Sequence, residues 1–373
     1  MSAQNKPIIF SFFSGSGFLD LGFELSGFDV RFVNEFHKPF LEAYKYSRKV
    51  MGLPDPKYGH FLGSIEDFVT GEKAGELQDL VEKAKADSLV GFIGGPPCPD
   101  FSIAGKNKGS EGENGKLSRV YIDAIINNKP DFFLFENVKG LWRTVKHRAF
   151  YDEMKVRLEK AGYILTDRLT NCIEYGVPQD RDRILLFGIH KSRAGNISAV
   201  ELEKKFDWED KIKFDKNIVL DKSIWPRHEK YMQNSKKECP QILTKFHELT
   251  VEHWFNRNDV NNHPNGKHHF QPKSMQRFKT ILEGDDSKKS FKRLHRWRYS
   301  PTAAYGNNEV HLHPYKDRRL SAAESLAIQS LPKEFCFPAT MTLSNMFKTI
   351  GNGVPYLAAE GLAETIQVYL KSL

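Results

Sequence analysis

The chain opens on a β-rich apolar run, residues 8–13, that stops at the turn residues Ser14-Gly15-Ser16-Gly17. An apolar run bounded by turn residues reads as a strand. Apolar positions at Phe18, Leu19, Leu21, Gly22, Phe23 and Leu25 then fit a buried helix that ends at Gly27. Residues 30–33 predict a second strand with Glu35 at its C-terminal end. Further strands are expected over 89–93, 132–135 and 184–189, with helices such as 152–161 filling the intervals. Strands alternating with helices through residue 190 predict an α/β fold with a mostly parallel sheet.

Beyond residue 190 the alternation stops. Residues 191–298 carry charged patches, scattered aromatics and a polar tract at 256–269 rich in Asn and His. Helical patterns return at 321–330 and at 355–370, the latter with Pro355 near its first turn. The 373 residues give room for two domains. The expected division is a catalytic and cofactor-binding domain at 1–190, an irregular domain at 191–310, a hinge at 311–345 and a C-terminal return at 346–373.

Charge follows the same division. The chain has 55 Lys and Arg against 47 Asp and Glu, a net of +8. Residues 191–300 hold 24 basic against 15 acidic residues, so the remainder is nearly neutral. A localised basic excess fits either a polyanion such as nucleic acid or a lysine-rich solvated surface. No apolar stretch approaches the ~20 residues that span a bilayer. The polar N-terminus runs straight into a strand, and the four cysteines lack CxxC spacing. The expectation is a cytoplasmic protein with no signal peptide, no disulfide framework and no metal.

Six segments carry candidate chemistry. In Phe13-Ser14-Gly15-Ser16-Gly17, two glycines allow a tight turn and close approach of a ligand at a strand's end, or a plain structural turn. Glu35 is placed to bind ribose hydroxyls. A dinucleotide-type GxGxxG would need glycine where Asp20 stands, and that carboxylate disfavours a diphosphate at the helix start. Gly94-Gly95-Pro96-Pro97-Cys98-Pro99 follows a strand, and its prolines keep Cys98 out of regular structure, where a thiolate could act as a nucleophile. The glycine- and lysine-rich stretch 103–115 reads as a lid or a flexible connector. Glu136 ends an apolar strand, and burial would raise its pKa toward that of an acid working near neutral pH. In 179–183, Gln179, Arg181 and Arg183 share one face of an extended chain and Asp180 and Asp182 the other, gathering donors for a base carbonyl or phosphate, or forming an interleaved salt-bridge surface. Gly351-Asn352-Gly353-Val354-Pro355 offers a turn before the last helix.

In this order the segments resemble the cytosine-C5 DNA methyltransferase family, over residues 8–190 and about 311–373. The resemblance implies a Rossmann-like S-adenosylmethionine-dependent methyltransferase domain plus a smaller irregular target-recognition domain. It implies S-adenosyl-L-methionine held by Phe13, Gly15, Gly17, Glu35, Phe36, Ser64, Ile65, Pro97, Asn352 and Val354, with S-adenosyl-L-homocysteine as product. Cys98 would be the nucleophile, Glu136 the acid, Arg183 the holder of the cytosine O2 and Arg181 its support. The late motif is matched by Arg319-Leu320-Ser321 with Glu324, Gln329 and Pro332. Pro99 stands where the family often has Gln, and Ser64 where it usually has an Asp for the adenine amino group.

Such an enzyme works on a base taken out of the helix stack. Duplex DNA is the expected partner, with Ser102, Lys106, Lys108, Lys292, Arg293, Arg296 and Arg298 as contacts. The polar tract with His263, His268 and His269 reads as exposed loop histidines near DNA. The context expected is a monomeric restriction–modification enzyme beside an independently acting endonuclease. The tRNA-methylating branch of the family is the close rival, but that branch's Cys-Phe-Thr hallmark does not occur in residues 191–310. A nicotinamide-dependent oxidoreductase is opposed by the missing third glycine and the Pro-Pro-Cys loop. A catalytically dead DNA-binding paralogue is opposed by the presence of Cys98, Glu136 and Arg183 together.

Overall fold

A computed structural model of the chain describes residues 6–97, 113–271, 274, 276–288, 290–303, 305 and 310–373. Seven strands form one sheet: β1 (Ile8–Phe12), β2 (Asp29–Glu35), β3 (Gly59–Leu62), β4 (Val90–Gly94), β5 (Phe132–Val138), β6 (Tyr163–Asn171) and β7 (Asp182–His190). Their order is β3-β2-β1-β4-β5-β7-β6. All neighbours are parallel except β7, which runs antiparallel to both β5 and β6. The expected α/β architecture with a mostly parallel sheet is what the chain adopts.

The central strands are apolar on both faces because both faces are covered. Every residue of β1 is buried. On one side, helix α1 (Phe18–Leu25) and the C-terminal helix Tyr356–Lys371 pack over Ile9, Ile93, Leu134 and Phe187. Helices α2 (Lys38–Val50), α3 (Ala74–Asp87), α4 (Glu113–Asn128), α5 (Lys139–Arg143) and α6 (Val145–Lys160) follow in chain order. Leu77, Val81, Tyr121, Ile122, Tyr151 and Met154 from α3, α4 and α6 fill the opposite face. Gly91 and Gly188 have no room for a side chain, since the Phe132 and Phe133 rings lie where a Cβ would be.

Three elements depart from the sequence expectation. The helix expected over 152–161 begins at Val145, and the strands β3 and β6 lie in intervals read as helical filling. The sheet's cover also continues past residue 190. Leu202, Phe206 and Trp208 join the core beside Phe187 and Tyr369. Farther on, Trp254, Phe255 and Leu294 share a cluster with Phe18, Leu326, Phe347 and Ile350, so this stretch packs against the C-terminal return.

Candidate active site

The glycine loop leaves β1 through a left-handed backbone: Phe13, Gly15 and Gly17 have φ of 53°, 58° and 79°. A Cβ on Gly17 would meet the Tyr44 ring at 2.5 Å, so glycine is required there on both counts. The loop is anchored from several sides. Arg48 donates to the Gly17 carbonyl at 2.7 Å, and Ser16 bonds Thr349 at 2.9 Å. Glu35, at the tip of β2, accepts from Gly15 N–H at 2.8 Å and from His37 N–H at 2.7 Å. Burial pushes the Glu35 carboxyl up, opposed by those amides.

The residues present fit a nucleoside-bearing methyl donor. Ser14 Oγ is buried in the loop with no hydrogen-bond partner among the described residues. Phe36, next to Glu35, is 74% exposed, a large aromatic face open to a flat base. Ser64 caps the turn Ile65–Phe68, accepting from Glu66 N–H at 3.2 Å, and Ile65 is buried. Asp20 occupies the spot where a phosphate would need a free helix start. Its carboxyl is buried, accepts from Ser11 Oγ at 2.8 Å, and is raised to about 7 by burial.

The second half of the site lies at the ends of β4, β5 and β7. Arg183 pairs across from Val138, which puts its side chain on the same face as Glu136, and Arg183 Nε meets Glu136 Oε1 at 2.6 Å. Both side chains are about nine-tenths buried. Glu136 Oε2 lies over Gly95, where a Cβ would come within 2.5 Å of it, so the second glycine of Gly94-Gly95 makes room for the acid. Asn137 Nδ2 donates to the Pro96 carbonyl at 3.4 Å, tying this strand to the turn that carries half-buried Pro97. Cys98, Ser102, Lys106 and Lys108 lie outside the described residues. Cys172 is buried nearby, and desolvation pushes its thiol up to about 12, the opposite of what a nucleophile needs.

The alternation across 179–183 is present, but most of its donor face looks inward. Gln179 is fully buried against Gln329 and the Ala303 amide. Arg181 is buried and donates to the carbonyls of Gly351 (2.8 Å), Gly353 (3.0 Å) and Ala303 (3.3 Å). Burial and neighbouring Arg183 pull Arg181 down to about 9, which leaves it a cation at neutral pH. Arg181, grouped with the catalytic residues as the support of Arg183, is instead a positioning residue: it holds the end of the helix Leu343–Asn352 and the residue after it through the carbonyls of Gly351 and Gly353. Asp180 and Asp182, on the other face, share Asn171 Nδ2. In the return itself Asn352 is exposed and Val354 is buried in the core.

The basic cluster needs a larger correction. Arg293 is fully buried, its guanidinium spent on the carbonyls of Ile281, His313 and Phe278. Arg296 is 2% exposed and locked to Glu283 and Ser235. Neither can reach DNA without stranding its partners, so the phosphate contacts expected of them do not stand. Lys292 is half-buried and Arg298 lies at the wall of a surface cavity. The histidines are structural too. His263 bonds the Phe335 carbonyl through Nε2 at 3.0 Å and accepts from Asn265 N–H through Nδ1, and His268 and His269 are half-buried.

Sequence reasoning missed Arg48 and Thr349, which brace the loop. Neither belongs to a local pattern, and each acts on residues more than 30 positions away.

A sheet with its reversed strand next to the edge, a glycine turn after β1 and an acid at the tip of β2 together define a Rossmann-like methyltransferase. The pattern of the C-5 cytosine-specific DNA methylase family matches residues 8–368, and the chain belongs to that family. It is 60% identical over 371 residues to the type II methyltransferase M.NmeDI of Neisseria meningitidis serogroup C, covering 99% of this chain and 85% of that one. It is 29% identical to M.FnuDI of Fusobacterium nucleatum, over 96% and 94% of the two chains. A solved structure of Spodoptera frugiperda DNMT2 has the same fold, with a TM-score of 0.58 at 15% identity over 98% of this chain and 99% of that one. Among the described residues no helix is long and apolar enough to cross a membrane.

Proposed function

We propose that the chain transfers a methyl group from S-adenosyl-L-methionine to C5 of a cytosine flipped out of a specific duplex DNA sequence. The setting is a type II restriction–modification system, with the enzyme acting as a cytoplasmic monomer independent of any cognate endonuclease. Residues 191–310 would read the target, 311–345 serve as hinge and 346–373 complete the catalytic domain. The supporting observation is the Glu136–Arg183 pair, closed to 2.6 Å over Gly95, three residues before Cys98.

C5 of an aromatic cytosine is too weak a nucleophile to take a methyl group directly. Addition of the Cys98 thiolate to C6, with Glu136 giving a proton to N3, turns the ring into an enamine whose electron pair lies at C5. Arg183 bonds Glu136 through Nε and the Asp182 carbonyl through Nη1, which among the described residues leaves Nη2 for the cytosine O2. The methyl donor supplies an activated methyl group on a sulfonium, held by the 13–17 loop, Glu35 and Phe36. Transfer of the C5 proton to solvent water restores the C5–C6 double bond and expels Cys98 as thiolate, and the N3 proton returns to Glu136. Unstacking the base costs a few kcal/mol, offset by protein contacts to the opened duplex.

Methyl transfer from labelled donor onto duplex DNA and onto tRNA tests the substrate; label in tRNA alone would overturn the reading. Cys98→Ser is expected to abolish turnover and the covalent complex with DNA containing 5-fluorocytosine. Unchanged activity in that variant would overturn the nucleophile.

A further inference from the structure

With Arg293 and Arg296 committed to the interior, the basic excess of residues 191–300 has to meet solvent elsewhere. Lys222, Arg227 and His228 are exposed, and they line a cavity of about 600 Å³ whose far wall is Arg298 and Asp286. Arg298 is tethered there only weakly. Its guanidinium reaches the Gly284 carbonyl at 3.3 Å and Asp286 at 3.6 Å, the second longer than a hydrogen bond. The Arg296–Glu283 contacts beside it are 2.8 and 2.9 Å. Arg298 can therefore turn to an incoming anion without breaking a tight pair.

The cavity adjoins the catalytic strand. Ser300, two residues after Arg298, bridges Gln179, and its carbonyl accepts from Asp180 N–H at 2.9 Å. Thr302 Oγ1 donates to the Asp180 carbonyl at 2.6 Å. Tyr299 stands between the two regions: Asp180 raises its hydroxyl further above the burial effect, while Arg298 opposes. Lys222 acts on Asp180 as well. The basic cavity thus begins one short segment from the arginine motif that ends in Arg183.

We propose that this cavity grips the sugar–phosphate backbone of the duplex flanking the target cytosine, with Lys222 and Arg227 as outer cations and Arg298 leaving Asp286 for a phosphate. Long exposed cations around an open basin suit phosphates, which position a duplex without reading its sequence. Asp286, and Asp285 facing His228, are the carboxylates that oppose binding. This inference rests on duplex DNA being the substrate.

The test measures binding of the full-length chain to a duplex oligonucleotide containing a site the wild-type protein methylates, from 50 to 300 mM salt. Lys222→Glu with Arg227→Glu is expected to weaken binding at least tenfold and to reduce the salt slope by about 2, close to 0.9 for each lost phosphate contact. Lys83→Glu with Lys160→Glu, the same charge change on the helices α3 and α6, should leave the slope as it was. Asp286→Asn should tighten binding severalfold. Thermal unfolding and methyl-donor binding, followed in parallel, should match wild type in every variant. Equal weakening in both double variants, an unchanged slope, or loss of tRNA binding with duplex binding intact would each overturn the proposal. A wild-type chain that methylates no duplex would instead overturn the reading of its function.

Discussion

Two of the buried Arg–Glu pairs in this molecule are built differently. Arg296 and Glu283 lie in the irregular basic region with side chains 2% and 0% exposed. Glu283 Oε1 accepts from Arg296 Nε and from its backbone N–H, Oε2 accepts from Nη2, and Ser235 takes donors that remain. Arg183 and Glu136 lie at strand ends in the sheet and share one short contact, with Glu136 Oε2 resting over a glycine. A pair with all its donors and acceptors engaged serves to hold the chain. A pair that keeps lone pairs and N–H groups uncommitted can still meet a substrate.

Substitutions should separate the two. Glu136→Gln is expected to lower methyl transfer by about 10²–10⁴-fold, the usual scale for a lost general acid, with little change in unfolding temperature. Glu283→Gln should do the reverse, destabilising the fold by about 3–5 kcal/mol because Arg296 is left charged and unpaired, while activity per folded molecule stays near wild type. Denaturant titration beside a turnover assay reads both. Equal stability losses in the two variants would erase the distinction.

Asp20 extends the comparison to a buried carboxyl that makes no ion pair among the described residues, the nearby Arg48 charge only partly offsetting its burial. Its folded-state pKa is raised from 3.8 to about 7. The stability it contributes is full below pH 4 and is lost as pH rises to about 7, by up to roughly 4 kcal/mol. Asp20→Asn should flatten that part of the pH–stability curve, so the variant gains on wild type between pH 4 and 7 and keeps a constant margin above. Arg181→Lys should have the smallest effect. A single ammonium cannot span the Gly351, Gly353 and Ala303 carbonyls, so KM for the methyl donor should rise about tenfold with a lesser change in kcat.

Much of the sheet was legible because its signals are short-range. The apolar run of β1, the glycine turn, Glu35 at the tip of β2 and Glu136 at the end of β5 are each set within a few residues. The period-2 pattern at 179–183 was legible as well, but not the direction in which its donor face looks. That depends on the carbonyls of Gly351 and Gly353, about 170 positions away. The 292–298 cluster failed for the same reason: a run of basic residues says nothing about Glu283, or about the main-chain oxygens of Phe278 and His313, that draw two of its arginines inside. Strand β6 escaped because its Asp167 and Arg168 break the apolar pattern of the central strands.

The contact between Ser16 and Thr349 joins positions 333 residues apart. On a ribosome adding about 5–20 residues per second, β1 and its glycine turn emerge many seconds before the segment that braces them. Closing so long a loop is entropically costly and slow compared with pairing neighbouring strands. The sheet can therefore assemble as the chain is made, while the methyl-donor site waits for residues 349–371. A nascent or prematurely terminated chain would carry paired strands with one face still missing the cover of the last helix, and an unbraced loop, so methylation competence arrives last in the life of each molecule.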